Sequence, residues 1–280
     1  MEQFYLSEIY IYPIKSLGGI SVSEAFIEER GLQYDRRWML IDENGTFITQ
    51  RKHFELAMLQ VNITDNTLRV SHKENPDNNI SFAIQEQTGQ AISVSIWDDQ
   101  CSGIEVSKRV SAWFSEFLNM NVRLIYMPDE VKRSVDPRYA TQDEIVSFAD
   151  GYPCLIIGQS ALDALNLMLP SPIRMDRFRP NFVFTGGAPH VEDQFGAFKL
   201  GEVLFSAVKP CARCVLITID QQTGDKGQEP LRTLARYRTL GKKILFGQNL
   251  THKGSGLIRK GDELIVNDWK KEPFVIEGKP

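Results

Sequence analysis

A pair of cysteines three residues apart is the sharpest chemical feature of this sequence. Cys211 and Cys214 lie in the range 209–214, which reads Lys-Pro-Cys-Ala-Arg-Cys. A structural zinc site needs four ligands and normally a second pair at similar spacing. The other cysteines, Cys101 and Cys154, are isolated, and the four histidines form no spaced pair. The sequence therefore disfavours structural zinc.

Three other interpretations of the pair stay open. A thioredoxin-type redox pair sits at a helix N-terminus, whereas residues 215–219, Val-Leu-Ile-Thr-Ile, favour a strand. Two partly buried thiols packed at the start of a strand would need no function at all. A thiolate ligand to a soft or high-valent metal centre is the remaining interpretation, and the flanking Lys209 and Arg213 would favour the charged sulfur.

An early basic segment has the residue types of a phosphate cradle. Residues 12–19 read Tyr-Pro-Ile-Lys-Ser-Leu-Gly-Gly, and residues 35–38 read Asp-Arg-Arg-Trp. Lys15 offers a point charge, Ser16 a hydrogen bond and Arg36 a planar fork, while the two glycines allow close backbone approach. The spacing is not that of a Walker loop. The alternative is a solvated turn followed by a salt bridge between the aspartate and an arginine.

Two further segments carry polar residues whose individual meaning is weaker. The range 177–181, Arg-Phe-Arg-Pro-Asn, leads into a strand and presents Arg179 and Asn181 beside a rigid proline. The range 149–153, Ala-Asp-Gly-Tyr-Pro, is a common type of turn that holds Asp150. Taken alone, a charged strand end and an ordinary turn explain these segments equally well.

Length and composition limit the classes of protein to consider. The chain has 280 residues, of which 42% are hydrophobic and 24% charged, and its net charge is -4. These values are typical of a globular protein and give no basic excess for nucleic acid. The sequence has no apolar run of roughly 18 residues and no signal-peptide pattern at its start. We therefore expect a cytoplasmic protein that binds neither nucleic acid nor membrane.

The elements that must position these residues are mostly strands. Short apolar runs between turn signals fill the first hundred residues. Apolar residues at helical spacing predict helices over 106–118 and from Ser160, with Asp163 as its capping partner, to Leu169, and Pro230 opens a third. Later strands are predicted at 122–127, 181–185, 203–208, 214–219 and 263–266. The pattern predicts a mainly β protein with flanking helices, of the α+β class.

Five segments in this order resemble the MOSC family, named after the C-terminal domain of molybdenum-cofactor sulfurase. They are the ranges 12–19, 31–38, 178–181, 211–214 and 246–249. The resemblance extends to bacterial N-hydroxylated-compound reductases and the mitochondrial amidoxime-reducing component. It implies two packed β-barrel-like units. The expected division is an N-terminal β-barrel-like domain over 1–120, a MOSC domain over 121–270 and a C-terminal tail over 271–280.

The resemblance also implies a cofactor and the residues that bind it. In the family the second cysteine of the CxRC segment ligates molybdenum, which implies Cys214 as metal ligand and catalytic residue here. Lys15, Ser16 and Arg36 are implied to hold the pterin phosphate of the molybdenum cofactor, Mo-molybdopterin.

The resemblance assigns the remaining polar residues to the same site. Arg179 and Asn181 are implied to complete the cofactor site. Asp150 is implied to lie near the metal as a catalytic residue that orients a bound water or relays a proton. Gly151 and Tyr152 stand where the family has small hydroxyl residues, so we expect a substrate pocket of different shape.

The expected function is a molybdenum-cofactor-dependent oxidoreductase that reduces N-hydroxylated or N-oxide small molecules. The chain lacks the four cysteines of an appended iron–sulfur domain, so a separate ferredoxin- or flavin-type protein is expected to supply electrons. The alternative is a sulfur-carrier or cofactor-handling protein in which Cys211 or Cys214 bears a persulfide. A binding module that has lost its cofactor is a third hypothesis, which the retained basic residues and cysteine disfavour.

Overall fold

The computed structural model describes residues 3–270, and most of its regular elements are strands. The three α-helices are α1 (Lys108–Leu118), α2 (Gln159–Asn166) and α3 (Leu231–Tyr237), and short 3-10 helices span Phe54–Met58, Met175–Phe178, Val191–Gln194 and Val215–Thr218. The strands are β1 (Phe4–Ile11), β2 (Ile20–Val22), β3 (Glu24–Glu28), β4 (Gly31–Leu32), β5 (Trp38–Ile41), β6 (Leu59–Thr64), β7 (Thr67–His72), β8 (Asn79–Ala83), β9 (Ala91–Ile96), β10 (Asp99–Glu105), β11 (Arg123–Tyr126), β12 (Cys154–Gly158), β13 (Phe182–Thr185), β14 (Ala197–Leu200), β15 (Val203–Arg213), β16 (Thr239–Leu240), β17 (Lys243–Lys253), β18 (Gly256–Arg259) and β19 (Glu263–Val266).

Seven strands close into a barrel. Their order is β12-β13-β1-β19-β14-β15-β17, and β17 pairs back to β12, which completes the ring. The barrel is filled by large apolar side chains, because alternate residues of each strand point inward. Its largest buried side chains include Phe182, Phe184, Phe198 and Phe205.

The second unit is an open half-barrel built from the first part of the chain. It contains the four-stranded sheet β5-β11-β10-β9 and the meander β6-β7-β8. Helix α1 packs on this unit through Val110 and Phe114, and the Ser107 hydroxyl caps it by accepting from the backbone N–H of Val110. Together with the barrel, this confirms the predicted mainly β architecture with flanking helices. Among the helices of residues 3–270, none is long and apolar enough to cross a membrane.

Each unit includes one strand from the part of the sequence that mainly forms the other unit. Strand β1 pairs with β13 and β19 and so belongs to the closed barrel. Strand β11 pairs with β5 and β10 in the half-barrel. The division at residue 120 stays a prediction, and the predicted tail 271–280 lies outside the described residues.

The predicted strand at 214–219 is wrong. Strand β15 continues to Arg213, and a 3-10 helix follows at Val215–Thr218. Arg213 pairs with Ile244, beside the start of β17, so a longer β15 would have no strand partner there. A short apolar run cannot tell a strand from a buried helical turn by its pattern alone.

The predicted capping box of the second helix is also wrong. The helix begins at Gln159, so Ser160 already lies within its first turn. The Ser160 hydroxyl donates to the carbonyl of Ala188, and Asp163 accepts from the Gln159 amide. The helix ends at Asn166 rather than Leu169.

Candidate functional site

All seven residues predicted for the site line one cleft. The first part of the chain contributes three of them and the later part contributes four. They are Lys15, Ser16, Arg36, Asp150, Arg179, Asn181 and Cys214. Cys211 lines the same cleft. The five segments that are far apart in sequence therefore meet in space, and the assigned roles of their residues stay predictions.

A three-membered ion cluster lies at the centre of the cleft. The Lys15 ammonium donates to Asp150 Oδ1 at 2.6 Å and to the carbonyl of Phe148 at 2.8 Å. The Arg51 guanidinium donates to the other carboxylate oxygen of Asp150 at 2.8 Å. The side chain of Lys15 is 6% exposed, whereas that of Asp150 is 54% exposed. A buried cation is thus paired with a carboxylate that water and ligands can reach.

The pKa values of Lys15 and Asp150 in this cluster are both lowered, and the changes bear on the roles of the two residues. Burial lowers the pKa of Lys15 to about 8, although the neighbouring Asp150 opposes that change. Desolvation disfavours the charged form of Asp150, but Lys15 and Arg51 outweigh it and hold the pKa of that carboxyl well below its usual range. Asp150 is therefore a fixed anion near neutral pH, which suits it to orienting neighbours better than to relaying protons.

Arg51 is a site residue that the sequence reasoning missed. Its Nε donates to Cys214 Sγ at 3.1 Å, while its Nη2 holds Asp150, so one guanidinium bridges the thiol and the carboxylate. The flanking cations expected to serve the thiol lie elsewhere. Lys209 sits 4.1 Å from the ring centre of Tyr139, and Arg213 donates to two backbone carbonyls. In the sequence, Arg51 is marked only as a basic residue that follows a short strand-like run, and such residues are common.

The two cysteines of the pair differ in their surroundings. Cys211 lies where β15 bulges between Pro210 and Ala212 opposite β17, and a bulge re-aims the side chains around it. Burial raises the pKa of the Cys211 thiol, although Arg213 opposes that change. Cys214 follows the end of β15 and accepts the hydrogen bond from Arg51. Of the two thiols, the geometry pairs Cys214 with the cleft's cations.

Two arginines of the cleft hold the buried ring of Tyr12. Arg36 and Arg179 lie 4.2 and 4.3 Å from its centre, and its hydroxyl donates to the carbonyl of Pro180. Gly19 is required by this stack, because a Cβ there would come within 2.4 Å of the ring. The glycine expected to admit a phosphate therefore admits an aromatic ring instead.

Three residues of the cleft adopt left-handed backbone conformations. Ser16, Arg36 and Arg179 have φ values of 73, 51 and 54°. Such conformations are uncommon outside glycine and concentrate at functional sites, where the surrounding structure enforces them. The strain falls on residues that the sequence assigned to cofactor binding.

Asn181 is placed at the cleft but uses its amide on the backbone. Its Oδ1 accepts from the N–H of Leu155 and its Nδ2 donates to the carbonyl of Tyr10. These bonds tie the residue before β13 to β12 and β1, the strands on either side of β13. Both polar atoms of the Asn181 side chain thus have partners within the protein, and its contact with a cofactor stays a prediction.

Arg133 supports the turn that carries Asp150. Its guanidinium donates to the carbonyls of Ser147, Ala149 and Asp150 and pairs with Asp99 at 2.7 Å. Arg133 lies in a polar, turn-rich part of the sequence, yet it is buried, at 5% exposed. Carbonyl acceptors in a loop leave no sequence signal, so this support could not be foreseen.

Comparison with known proteins places the chain in a family. The sequence model described as the MOSC N-terminal beta barrel domain matches residues 3–121, and the model of the MOSC domain matches residues 143–265. The chain belongs to the MOSC family. This confirms the resemblance drawn from the five segments.

Relatives of this MOSC protein carry two names. Mitochondrial amidoxime-reducing component 1 of Mus musculus is 31% identical over 93% of this chain and 82% of its own length, and that of Homo sapiens is 29% identical over the same shares. Molybdenum cofactor sulfurase of Oryza sativa subsp. japonica is 30% identical over 96% of this chain, which spans only 35% of that protein.

The cleft of this MOSC protein fits the cofactor that its family name implies. A thiol at its rim is a ligand type that soft metals prefer. The buried Nη2 of Arg213 has no hydrogen-bond partner within residues 3–270, and Arg213 lines the cleft. Arg36 and Arg179 add two more guanidiniums, which recognise phosphate well. A sulfur ligand beside several guanidiniums, one of which has an unpartnered N–H group, is a donor set that suits a metal and the phosphate of a pterin.

Proposed function

We propose that this protein is a molybdenum-cofactor-dependent reductase of N-hydroxylated or N-oxide compounds that acts in the cytoplasm. The observation that carries the proposal is the meeting of the Cys214 thiol with Lys15, Arg36 and Arg179 in one cleft. The relatives named amidoxime-reducing component support the same reaction class.

In this proposal each residue of the cleft has a part in binding. Cys214 is the protein ligand of the metal, and Lys15, Ser16 and Arg36 hold the phosphate. When bound, the molybdenum cofactor supplies a metal centre that can accept and pass on two electrons. Arg179, buried beside Tyr12, has its pKa lowered to about 10 by burial and stays charged at neutral pH. Arg51 bridges Cys214 to Asp150 and fixes the direction of both side chains.

The overall reaction balances with a separate electron donor. A ferredoxin- or flavin-type protein delivers two electrons, two protons come from solvent, the substrate N–O bond breaks, and water leaves with the reduced nitrogen compound. Asp150 stays ionised and orients polar groups beside the reacting oxygen.

The sulfur-carrier function remains a second candidate because the sulfurase relatives match nearly the whole chain. It needs an activated thiolate to bear the persulfide. Cys211 is poorly suited to that part, since burial raises the pKa of its thiol. Cys214 would then carry the sulfur, and the cleft would serve delivery.

Two serine variants test the proposal. We expect Cys214→Ser to abolish reduction of an N-hydroxylated probe with an artificial electron donor, because serine is a harder ligand and a poorer donor to the metal. Cys211→Ser is the matched control and should retain most of the activity. Circular dichroism checks that both variants fold, and molybdenum and pterin are quantified in each.

The outcomes separate the two candidates. Stoichiometric molybdenum in the wild type, with activity lost only in Cys214→Ser, supports the reductase. Cyanide-labile sulfur without molybdenum supports the sulfur carrier. Full activity in both variants contradicts a molybdenum–thiolate mechanism, and loss only in Cys211→Ser reverses the assignment of the ligand.

A further inference from the structure

A second, wider cavity adjoins the cofactor cleft. The two cavities share the turn Asp150-Gly151-Tyr152 as a common wall. Trp97 lines the outer cavity, and its indole N–H lies 3.4 Å from Asp150 Oδ1. A small molecule that reached the cleft through the outer cavity would meet this indole beside the ion cluster.

The indole is held firmly while much of it stays accessible. The Arg51 guanidinium lies 4.8 Å from the ring centre, and Phe47 meets the ring edgewise at 5.0 Å. Trp97 is nonetheless 52% exposed. Because Arg51 also donates to Cys214 Sγ, one guanidinium separates the indole from the thiol.

The backbone at Trp97 is suited to glycine rather than to tryptophan. Ile96 pairs with Asp99, so Trp97 and Asp98 form a two-residue hairpin turn. Trp97 has φ of 55°, and a positive φ at the first central position of such a turn normally selects glycine. A large side chain at this position costs conformational free energy, and exposed tryptophan returns little of it by burial.

The cations of the outer cavity already have partners. Lys132, Arg133 and Arg138 form salt bridges with Glu29, Asp99 and Asp136. The fourth cation, Lys209, lies over the ring of Tyr139. Among the large apolar side chains of residues 3–270 that line this cavity, Trp97 is the exposed one, so the part of its indole that Arg51 leaves uncovered is the apolar surface available for recognition.

We infer that Trp97 is a substrate-selecting residue, and that the enzyme favours N-hydroxylated compounds whose reacting group is attached to a flat aromatic ring. Such a ring stacks on the indole while the N–O group enters the cleft beside Asp150 and Cys214. Offset stacking is worth about 0.5–1.5 kcal/mol beyond area burial, which corresponds to about three- to tenfold in selectivity. The inference rests on the proposed reductase function for its substrate class, and on Trp97 alone for its preference.

The test compares two probes on the cofactor-loaded enzyme. Benzamidoxime carries the ring and acetamidoxime lacks it. We expect Trp97→Gly to lower the ratio of kcat/KM for the two probes about three- to tenfold, mostly through the KM of benzamidoxime. Trp97→Phe keeps a ring and should keep most of the ratio. Phe26→Ala removes a comparably exposed aromatic side chain from β3 and should leave the ratio unchanged.

A stability measurement excludes a merely structural role. Glycine suits the turn, so Trp97→Gly should unfold at a urea concentration no lower than the wild type. An unchanged probe ratio in this variant overturns the inference, as does a loss of stability without a change in ratio. Should the wild type reduce neither probe, the proposed function fails, and fluorescence decides the inference. Quenching by benzamidoxime that is lost in Trp97→Phe supports the subsite, and absence of such quenching overturns it.

Discussion

Two clusters of ion pairs in this molecule differ in how far water can reach them. In the cleft, Lys15 is buried but its partner Asp150 is half exposed. Beside the barrel strand β17, Asp193 and Arg238 are 8% and 4% exposed and meet at 2.6 Å, and we call them the barrel pair. Gln248 donates to the second oxygen of Asp193, so both oxygens of that carboxylate have partners. The barrel pair is closed to solvent, whereas in the pair of Lys15 and Asp150 the carboxylate is accessible and can be replaced by another anion.

This difference distinguishes an ion pair that stabilises the fold from an ion pair that can exchange one partner for a ligand. Breaking a fully buried pair leaves an uncompensated charge, which is strongly destabilising. Under the proposed function, an incoming phosphate replaces Asp150 as the partner of Lys15, so the buried ammonium keeps an anionic partner. We therefore expect substitutions in the barrel cluster to change stability and those in the cleft to change ligand binding.

The largest effect on stability is expected for Asp193→Asn. The amide cannot neutralise Arg238, whose buried Nη2 loses its charged partner. The free energy of unfolding should fall by about 3–5 kcal/mol. Urea denaturation followed by circular dichroism measures it, and a loss below about 1 kcal/mol, typical of exposed pairs, would erase the contrast between the clusters.

Lys15→Met should affect the cleft in the opposite way. Burial lowers the pKa of Lys15, so its charge opposes folding at neutral pH, and an apolar side chain of similar length removes that cost. We expect unchanged or increased stability, together with a loss of about 1.5–3 kcal/mol in cofactor binding from one charge-assisted contact. Pterin content after gel filtration and a thermal melt check the two parts. Full pterin content would remove Lys15 from the phosphate site.

Glu192→Gln tests the effect of a buried charge through the pH dependence of stability. Glu192 is fully buried, and burial raises its pKa from 4.5 to about 7. Between these values the folded state binds more protons than the unfolded state, so stability falls as pH rises through this window. The amide retains an oxygen for the N–H of Gly158. The variant should be about 1–3 kcal/mol more stable than the wild type at pH 8 and equal to it near pH 4.5. Urea denaturation at both values measures this, and a constant difference would contradict the role of ionisation.

Asp150→Asn should destabilise the protein less than Asp193→Asn. Buried Lys15 loses its charged partner, but half of the side chain at position 150 is exposed, so water can reach that end of the pair. The substitution frees Lys15 and Arg51 from an internal anion, so inorganic phosphate should bind the cofactor-free protein more tightly. Calorimetric titration with phosphate measures it. Weaker binding in Asp150→Asn would mean that Asp150 organises the cations rather than competing for them.

The mainly β architecture and the segments that line the cleft could be predicted from the sequence, but Arg51 and Trp97, which connect these segments, could not. Lys15, Arg36 and Cys214 could be predicted to share one site because they lie in recognisable segments, and they line one cleft, while their chemical roles stay predictions. Arg51 and Trp97 lie in turns with no such segment. Their contacts arise only when those turns meet the turn of Asp150, and long-range packing of that kind leaves no local pattern.

The misread segment after Cys214 shows the same limit. Its β-branched run has high strand propensity, yet no strand partner remains beyond Arg213, so the chain forms a 3-10 helix. Strand propensity describes how well a residue fits a pleated surface, and pairing decides whether that surface exists.

The place of β1 in the barrel has a consequence for how the chain folds during synthesis. Phe4 pairs with Leu264, so two neighbouring strands of the barrel leave the ribosome about 260 residues apart. At roughly 5–20 residues per second, β1 waits at least about ten seconds for that neighbour. Strand β2, at Ile20–Val22, can pair with β1 much earlier, but the edge of β1 that faces β19 stays unpaired until residue 264 has been made. An unpaired strand edge with apolar residues is prone to aggregation, so chaperone binding to β1 would be useful during that time.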